Sequence, residues 1–330
     1  MFHILVDLKN YTPHRNLIDL GTPEGMQLHW VDLGTQEIDP LLPQTDAILG
    51  LANLSDVQYR QADRLRHIQT ISAGVNEIDL NRAREFGVTV ANNCGANAIS
   101  VSEHVLMMML AVYRQLLFHH HSVVHGPWEA RKKQNREIFG KSLGIVGLGQ
   151  IGQALAVRAQ ALGMQVRYFD VVERPELGYE YRMLPELIAE SDFVSYHVPL
   201  TRYTAHLINA QTLSWMKPDA VLINASRGGV QDERALHEVL AAGKIAGAGL
   251  DVFEQEPIPE DSPIKLLTNV VLTPHSCPTR EYYMRAVEFA FNNLRSVQQT
   301  GQPSLQVQNY EADTEAFLQA HPEVDWMPGV

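Results

Sequence analysis

The chain has 330 residues, 45% of them apolar and 19% charged, and its 26 Lys plus Arg against 38 Asp plus Glu leave a net charge of -12. That length and composition suit a globular protein with room for two domains, and the negative balance disfavours nucleic acid and anionic membrane as partners. Two cysteines cannot build a disulfide framework, and neither a secretory leader nor an apolar run of about 20 residues stands out, so a cytoplasmic chain with no membrane partner is expected.

In chain order, short β-type runs come first: FHILV (2–6), LHWVDL (28–33), AILGLA (47–52), IQTIS (68–72) and VTVAN (88–92). Helix-like polar segments such as SDVQYRQADRL separate them, and this alternation predicts a parallel α/β layer. After the turn-prone NNCGANA, the segment from Ile99 to Gly126 carries apolar residues around most of its circumference, which predicts one long, mostly buried helix. Its run His119, His120 and His121 points in different directions on a helix, so no metal site is expected there.

A second α/β series follows, with strands expected in SLGIVGLG, MQVRYFD, FVSYHVPL, AVLINAS, IAGAGLDVF and VVLTPH. Gly147, Gly149 and Gly152 hold G-x-G-x-x-G spacing between the first of these strands and a helix-forming run. Such glycines permit a tight turn, close approach to a diphosphate and close helix packing. The next strand ends at Asp170, about 20 residues on, where a carboxylate accepts hydrogen bonds from the adenosine ribose and repels a 2'-phosphate. The expected cofactor is therefore NAD(H) over NADP(H), with Arg174 near enough in sequence to turn toward such a phosphate.

Farther on, INASRGG sets Arg227 just past an apolar strand, where a planar guanidinium suits a small carboxylate. The ends of the last two strands then deliver Asp251 with Glu256, and His275. A carboxylate bonded to an imidazole fixes its tautomer and favours its protonated form, the arrangement of an acid/base pair. The tail beyond about residue 300 is acidic and weakly patterned, either a packed arm or a mobile segment, and the sequence leaves its role open.

Together GLGQIG, NASRGG, GLDVFEQEP and TPH, in this order, resemble the D-isomer-specific 2-hydroxyacid dehydrogenases. SAGVNEID (72–79), SEHV (102–105) and HVPLTRYTAHLIN (197–209) match the same family, and the resemblance covers most of residues 45–300. It implies two Rossmann-like or flavodoxin-like α/β domains with parallel sheets and an active-site cleft between them. The substrate domain would comprise 1–97 plus 290–330 and the inserted NAD-binding domain 98–289, with hinge helices near 98–119 and 278–298. A homodimer through the long helix is also implied.

Carried over by residue, Arg227 would bind the substrate carboxylate, His275 would be the acid/base and Glu256 its partner. Asp251 would lie near the nicotinamide. Gln150, Ile151, His197, Pro199, Thr204, Ala225 and Ser226 would line the cofactor together with Arg227 and His275. Backbone amides at Ala73, Gly74 and Val75, with Asn53, would contact substrate. The implied reaction interconverts small 2-keto acids of the glyoxylate, hydroxypyruvate or pyruvate type with D-2-hydroxy acids. The alternatives are a phosphoglycerate-type dehydrogenase and a non-catalytic NAD-sensing protein of the corepressor type. Formate oxidation is disfavoured because Glu256 stands where that chemistry uses Gln.

Three departures from the family pattern stand out. Asn93-Cys94 replaces a common Thr-Pro pair, with Cys94 expected as a small packed residue. Cys277-Pro278 stands where small residues follow the histidine, with Pro278 expected to stiffen the entry to the next helix. Arg131, Lys132 and Lys133 form a basic run, expected as a solvated loop, that a phosphorylated substrate could use.

Overall fold

The computed structural model describes residues 1–330 apart from 73, 76, 127, 129–134, 308, 309 and 330. The chain divides into two units, residues 1–97 with 278–308 and residues 98–277 with 309–330. In the first unit β1 (Phe2–Asp7), β2 (Met26–Val31), β3 (Ala47–Leu49), β4 (His67–Gln69) and β5 (Thr89–Ala91) form a parallel sheet in the order β2-β1-β3-β4-β5. Successive residues of β1 point to opposite faces, and both faces are covered. Ile4 and Val6 pack toward Ala286, Val287, Phe291 and Leu294 of the helix Arg280–Thr300, whereas Leu5 packs with Ile48, Ile68 and Tyr59. Strand order reverses between β1 and β3, and the segment bearing Asn53 leaves from that point.

The second unit holds β6 (Ser142–Val146), β7 (Gln165–Phe169), β8 (Glu180–Tyr181), β9 (Phe193–Tyr196), β10 (Val221–Asn224), β11 (Gly247–Leu250) and β12 (Val270–Leu272). They form one parallel sheet in the order β12-β11-β10-β9-β6-β7-β8. Strands β6, β9, β10 and β11 are buried along their whole length, which is why they read as near-continuous apolar runs. The order reverses between β6 and β9, the place where an open α/β sheet binds its ligand. No described helix is long and apolar enough to cross a membrane.

Three expectations need correction. The long helix is broken: Ala98–Tyr113 is largely buried, but Gln115 takes a left-handed conformation (φ 50°) and a second helix, Leu116–His125, leaves Leu116, Leu117, Val123 and Val124 exposed. Strand β8 was not foreseen, because two residues carry no periodicity. The tail, expected with the first unit from residue 290, divides instead. Residues up to 308 stay with the first unit, whereas the helix Tyr310–Ala320 and the turns after it bury Phe317, Val324, Trp326 and Met327 in the core of the second. Its few apolar side chains are satisfied by that core. As expected, Pro278 precedes a helix start, Thr279 accepting from the Tyr282 amide as its cap.

A buried polar chain runs through the first unit. His67 has no solvent exposure, its Nδ1 lies 2.8 Å from Thr89 Oγ1 and its Nε2 lies 3.2 Å from Gln69 Oε1. Burial pushes its pKa from 6.5 down to about 4. The folded chain thus keeps the ring neutral while the unfolded chain takes up a proton below its ordinary value. Stability present above pH 6.5 is lost as the pH falls toward 4, by about 3 kcal/mol at most. The urea midpoint of the wild type is expected to fall across this window and that of His67→Gln to fall less; parallel pH profiles would remove His67 as the cause.

Candidate active site

The glycine loop begins where β6 ends. Gly147 has φ of +94°, and a Cβ there would sit 2.7 Å from the carbonyl of His197, just past β9. A Cβ on Gly152 would sit 2.3 Å from the Gly147 carbonyl. These close approaches let the helix Gln150–Ala161, opened by Gln150 and Ile151, start directly against the strand ends. Gly149 is its N-cap, with no side chain bonded to the first amides and nothing within 4 Å of where a Cβ would stand. Amides at such a terminus suit an anion.

Asp170 is tied to this loop. Its Oδ2 accepts from the Leu148 amide at 2.8 Å and its Oδ1 from the Val172 amide at 3.2 Å. Burial raises its pKa, opposed by these amides and by Arg174. The Arg174 amide donates to Tyr168 Oη at 2.7 Å, and its Nε is buried without a hydrogen-bond partner among the described residues. His197 Nε2 lies 2.9 Å from Ser195 Oγ, whereas Nδ1 is buried and lacks a partner among the described residues. Burial brings its pKa to about 4, so the ring is neutral. Thr204 Oγ1 donates to the Pro199 carbonyl at 2.6 Å and accepts from the Thr201 amide at 2.8 Å, closing the turn after β9. An open helix start, a carboxylate at the neighbouring strand end and an orphaned buried ring nitrogen together fit a bound dinucleotide.

The ends of β10, β11 and β12 carry the other candidates. As the last residue of β10, buried Asn224 accepts from the Ser226 amide and hydroxyl at 3.0 and 2.8 Å, and its Nδ2 donates to the Arg227 carbonyl and to Gln231 Oε1 at 3.1 and 3.0 Å. Ala225 lies between them. Gln231 in turn donates to the Val252 carbonyl at 3.3 Å, and a Cβ on Gly228 would sit 1.8 Å from the Phe253 carbonyl. The turn holding Arg227 is thereby clamped to the segment leading to Glu256. Glu256 Oε1 accepts from the Phe253 amide at 3.1 Å, and Oε2 lies 2.8 Å from His275 Nδ1. The side chains of His275 and Glu256 remain 47% and 38% exposed. With Nδ1 engaged, Nε2 is the nitrogen left for proton transfer to a reactant.

Asp251 has a different setting from Glu256. It is fully buried and accepts from Thr273 Oγ1 at 2.5 Å, the Ser276 amide at 2.9 Å and Cys277 Sγ at 2.9 Å. His104 Nε2 lies 2.9 Å from Thr273 Oγ1 and 3.4 Å from the carboxylate. Burial opposes its charge, but the bonds from His104, Cys277, Thr273 and Ser276 outweigh it and hold the carboxyl below the usual range. Burial and the neighbouring carboxylate push the Cys277 thiol up, so it stays protonated and is no nucleophile. His104, Asp251 and Cys277 bring possible metal-ligand atoms within 4.8 Å of one another, but the carboxylate oxygens are already used by hydrogen bonds from the turn. The Asp251 carbonyl accepts from the His275 amide at 2.8 Å, and His275 adopts φ of +52°.

In the first unit, three side chains hold the peptide groups of Ile71. Tyr11 Oη accepts from its amide at 2.9 Å, Tyr282 Oη donates to its carbonyl at 2.9 Å and Asn93 Nδ2 donates to the same carbonyl at 3.2 Å. The loop that follows is tightened by Ser72 Oγ donating to the Gly74 carbonyl at 3.0 Å and by the Ile78 amide donating to the Val75 carbonyl at 2.9 Å. Asn53 is exposed. Ala73 lies outside the described residues, as do Arg131, Lys132 and Lys133. Cys94, expected to be packed, is exposed instead, because Asn93 takes the inward position of that turn. Tyr11, Gln231 and Tyr282 were not singled out by the sequence; the only signal for His104, Asn224 and Thr273 was their place in SEHV, NASRGG and TPH.

Residues 106–277 match the family model for the NAD-binding domain of D-isomer specific 2-hydroxyacid dehydrogenases. A glyoxylate reductase from Korarchaeum cryptofilum is 40% identical over 245 residues, 72% of this chain and 74% of that protein. The chain belongs to the D-isomer-specific 2-hydroxyacid dehydrogenases. A hydroxypyruvate reductase from Thermotoga maritima is 38% identical over 261 residues, 78% of this dehydrogenase and 85% of that protein. A crystal structure of an NADPH-dependent glyoxylate/hydroxypyruvate reductase from Sinorhizobium meliloti superposes with a TM-score of 0.80 at 28% identity, covering 95% of this chain and 97% of that one. This dehydrogenase is an NAD-dependent oxidoreductase.

Asp170→Ser tests the expectation that this carboxylate disfavours a 2'-phosphate. The ratio of kcat/KM with NADH to that with NADPH is expected to fall at least about tenfold. A ratio equal to that of the wild type would remove Asp170 from cofactor choice.

Proposed function

We propose that this dehydrogenase reduces small 2-keto acids of the glyoxylate, hydroxypyruvate or pyruvate type to D-2-hydroxy acids with NADH. The observation that carries the reading is the Glu256–His275 pair at 2.8 Å, held beside a clamped Arg227 turn at neighbouring strand ends. Bound NADH supplies the hydride. Arg227 binds the substrate carboxylate and polarises its carbonyl, and His275 Nε2 donates the proton that the carbonyl oxygen acquires. Glu256 orients the imidazole through Nδ1 and offsets its charge. Reduction consumes the proton on Nε2, and oxidation requires that nitrogen free.

Asn53, Ala73, Gly74 and Val75 are assigned to substrate contact in the same reading, with Ile71 as the anchor of their loop. A homodimer is proposed through the helices Ala98–Tyr113 and Leu116–His125, where Ile99, Met107, Leu110, Leu116, Leu117, Val123 and Val124 are exposed. An apolar strip of this kind suits a second copy of the chain.

The test is NADH consumption, followed by absorbance, across glyoxylate, hydroxypyruvate, pyruvate, phenylpyruvate and 3-phosphohydroxypyruvate. Turnover on the unphosphorylated acids supports the proposal, and turnover confined to the phosphorylated acid would replace it with a phosphoglycerate-type activity. NADH binding with no turnover on any of them would favour a sensing role. His275→Gln is expected to lower kcat by about 100-fold or more while the Kd for NADH stays within about threefold; near-normal turnover would sink the proton role. Tyr282→Phe keeps the ring but loses the bond to Ile71, and KM for the keto acid is expected to rise about fivefold with kcat nearly unchanged. An unaltered KM would separate Ile71 from substrate binding.

A further inference from the structure

The closing segment of the second unit, residues 310–330, has no part in the chemistry above, yet two of its rings meet one target. Phe317 and Trp326 each stand edge-on to Phe169 with ring centres 5.6 Å apart. Phe169 is the last residue of β7 and immediately precedes Asp170. Pairing of β7 with the short outer strand β8 stops at Tyr168, so β8 offers no strand partner to Phe169 or Asp170. Phe169 remains paired with Val146 of β6, and the tail's rings pack edge-on against its side chain, an arrangement aromatic pairs favour.

The same segment is attached at a second place. Glu315 pairs with Arg202 and lies 3.4 Å from Tyr203 Oη, and a Cβ on Gly329 would sit 3.0 Å from the Arg202 carbonyl. Arg202 and Tyr203 belong to the turn that Pro199 and Thr204 close. Both attachments therefore fall on segments that the family resemblance assigns to the cofactor, and neither falls on the turns carrying Arg227, Glu256 or His275.

We propose that residues 310–330 are a positioning element for the adenosine half of the dinucleotide, fixing the end of β7 with Asp170 and the turn after β9 without touching the reacting atoms. The proposal rests on Asp170 as the ribose contact. The backbone of Phe169 stays paired with Val146 of β6, so what the tail's rings add is packing of its side chain, which narrows the position of the adjoining Asp170 carboxylate.

The experiment is calorimetric titration of the full-length protein with ADP-ribose, which carries the adenosine half alone, and with NADH. Trp326→Ala is expected to weaken both by roughly the same factor, about tenfold. Its kcat at saturating NADH and its KM for the keto acid should stay within about twofold, and Trp326→Phe should restore most of the affinity. A general loss of structure would lower kcat as well and would not follow ring chemistry. Full ADP-ribose affinity in Trp326→Ala, or loss of kcat in step with affinity, overturns the proposal. If that variant fails to fold, Glu315→Gln is used, with a threefold or greater loss expected, on the order of 0.7 kcal/mol, and unchanged affinity overturning. Asp170→Ser, titrated alongside, separates the two ideas. Should it leave ADP-ribose binding unchanged, the ribose assignment is what fails; should it weaken binding while the tail variants do not, the tail assignment fails.

Discussion

A fully buried carboxylate at the end of β11 organises the neighbouring strand ends of the sheet. An unpaired ion at that depth would cost several kcal/mol, and the structure offsets this with donors from one short turn. Thr273, Ser276 and Cys277 all point at Asp251, while His104 reaches it and Thr273 from the buried helix. Because those donors flank His275 in sequence, satisfying the charge sets the path of the backbone between them. The left-handed conformation of His275 and its amide bond to the Asp251 carbonyl follow from that path. The imidazole is then presented with Nδ1 toward Glu256.

The neighbouring strand ends are joined to this turn by contacts that leave little room for adjustment. Gly228 allows the Arg227 turn to lie against the Phe253 carbonyl, and Asn224 with Gln231 bridges the same two segments through buried amides. A guanidinium, a carboxylate and an imidazole thus sit on supports that are bonded to one another, which narrows the positions each can take. The glycine loop obeys the same logic, with the Leu148 amide bonded to Asp170 and the tail rings packed edge-on against Phe169. Cys277 and Asn93, both departures from the family pattern, are absorbed as donors into these buried networks.

Strands were legible where burial on both faces made them continuous apolar runs, as in β6, β9, β10 and β11. The glycine loop and the carboxylate past β7 were legible because their spacing is imposed locally by a strand, a turn and a helix. What escaped depended on partners far away along the chain. Ile71 is held by residues 60 and 211 positions distant as well as by Asn93. The break at Gln115 has no proline or glycine to announce it, and β8 is too short for any period. The tail's side chains are too sparse to show a helical face, and only the apolar edge beside Phe169 and Trp215 gave them a place.

The sequence by itself determined which chemical groups gather at the strand ends of this dehydrogenase: glycines in dinucleotide-binding spacing, an acid past the next strand, and Arg227, Glu256 and His275 past successive strands. Those choices are written in side-chain type and local spacing, which survive without knowledge of the fold. Asp251 and Glu256, however, are two carboxylates a few residues apart, with the same intrinsic chemistry. Only the tertiary structure decided that one is sealed among donors to hold a turn while the other stays partly exposed against an imidazole. A carboxylate's role depends on which groups surround it and how much water remains, and those are set by residues from elsewhere in the chain.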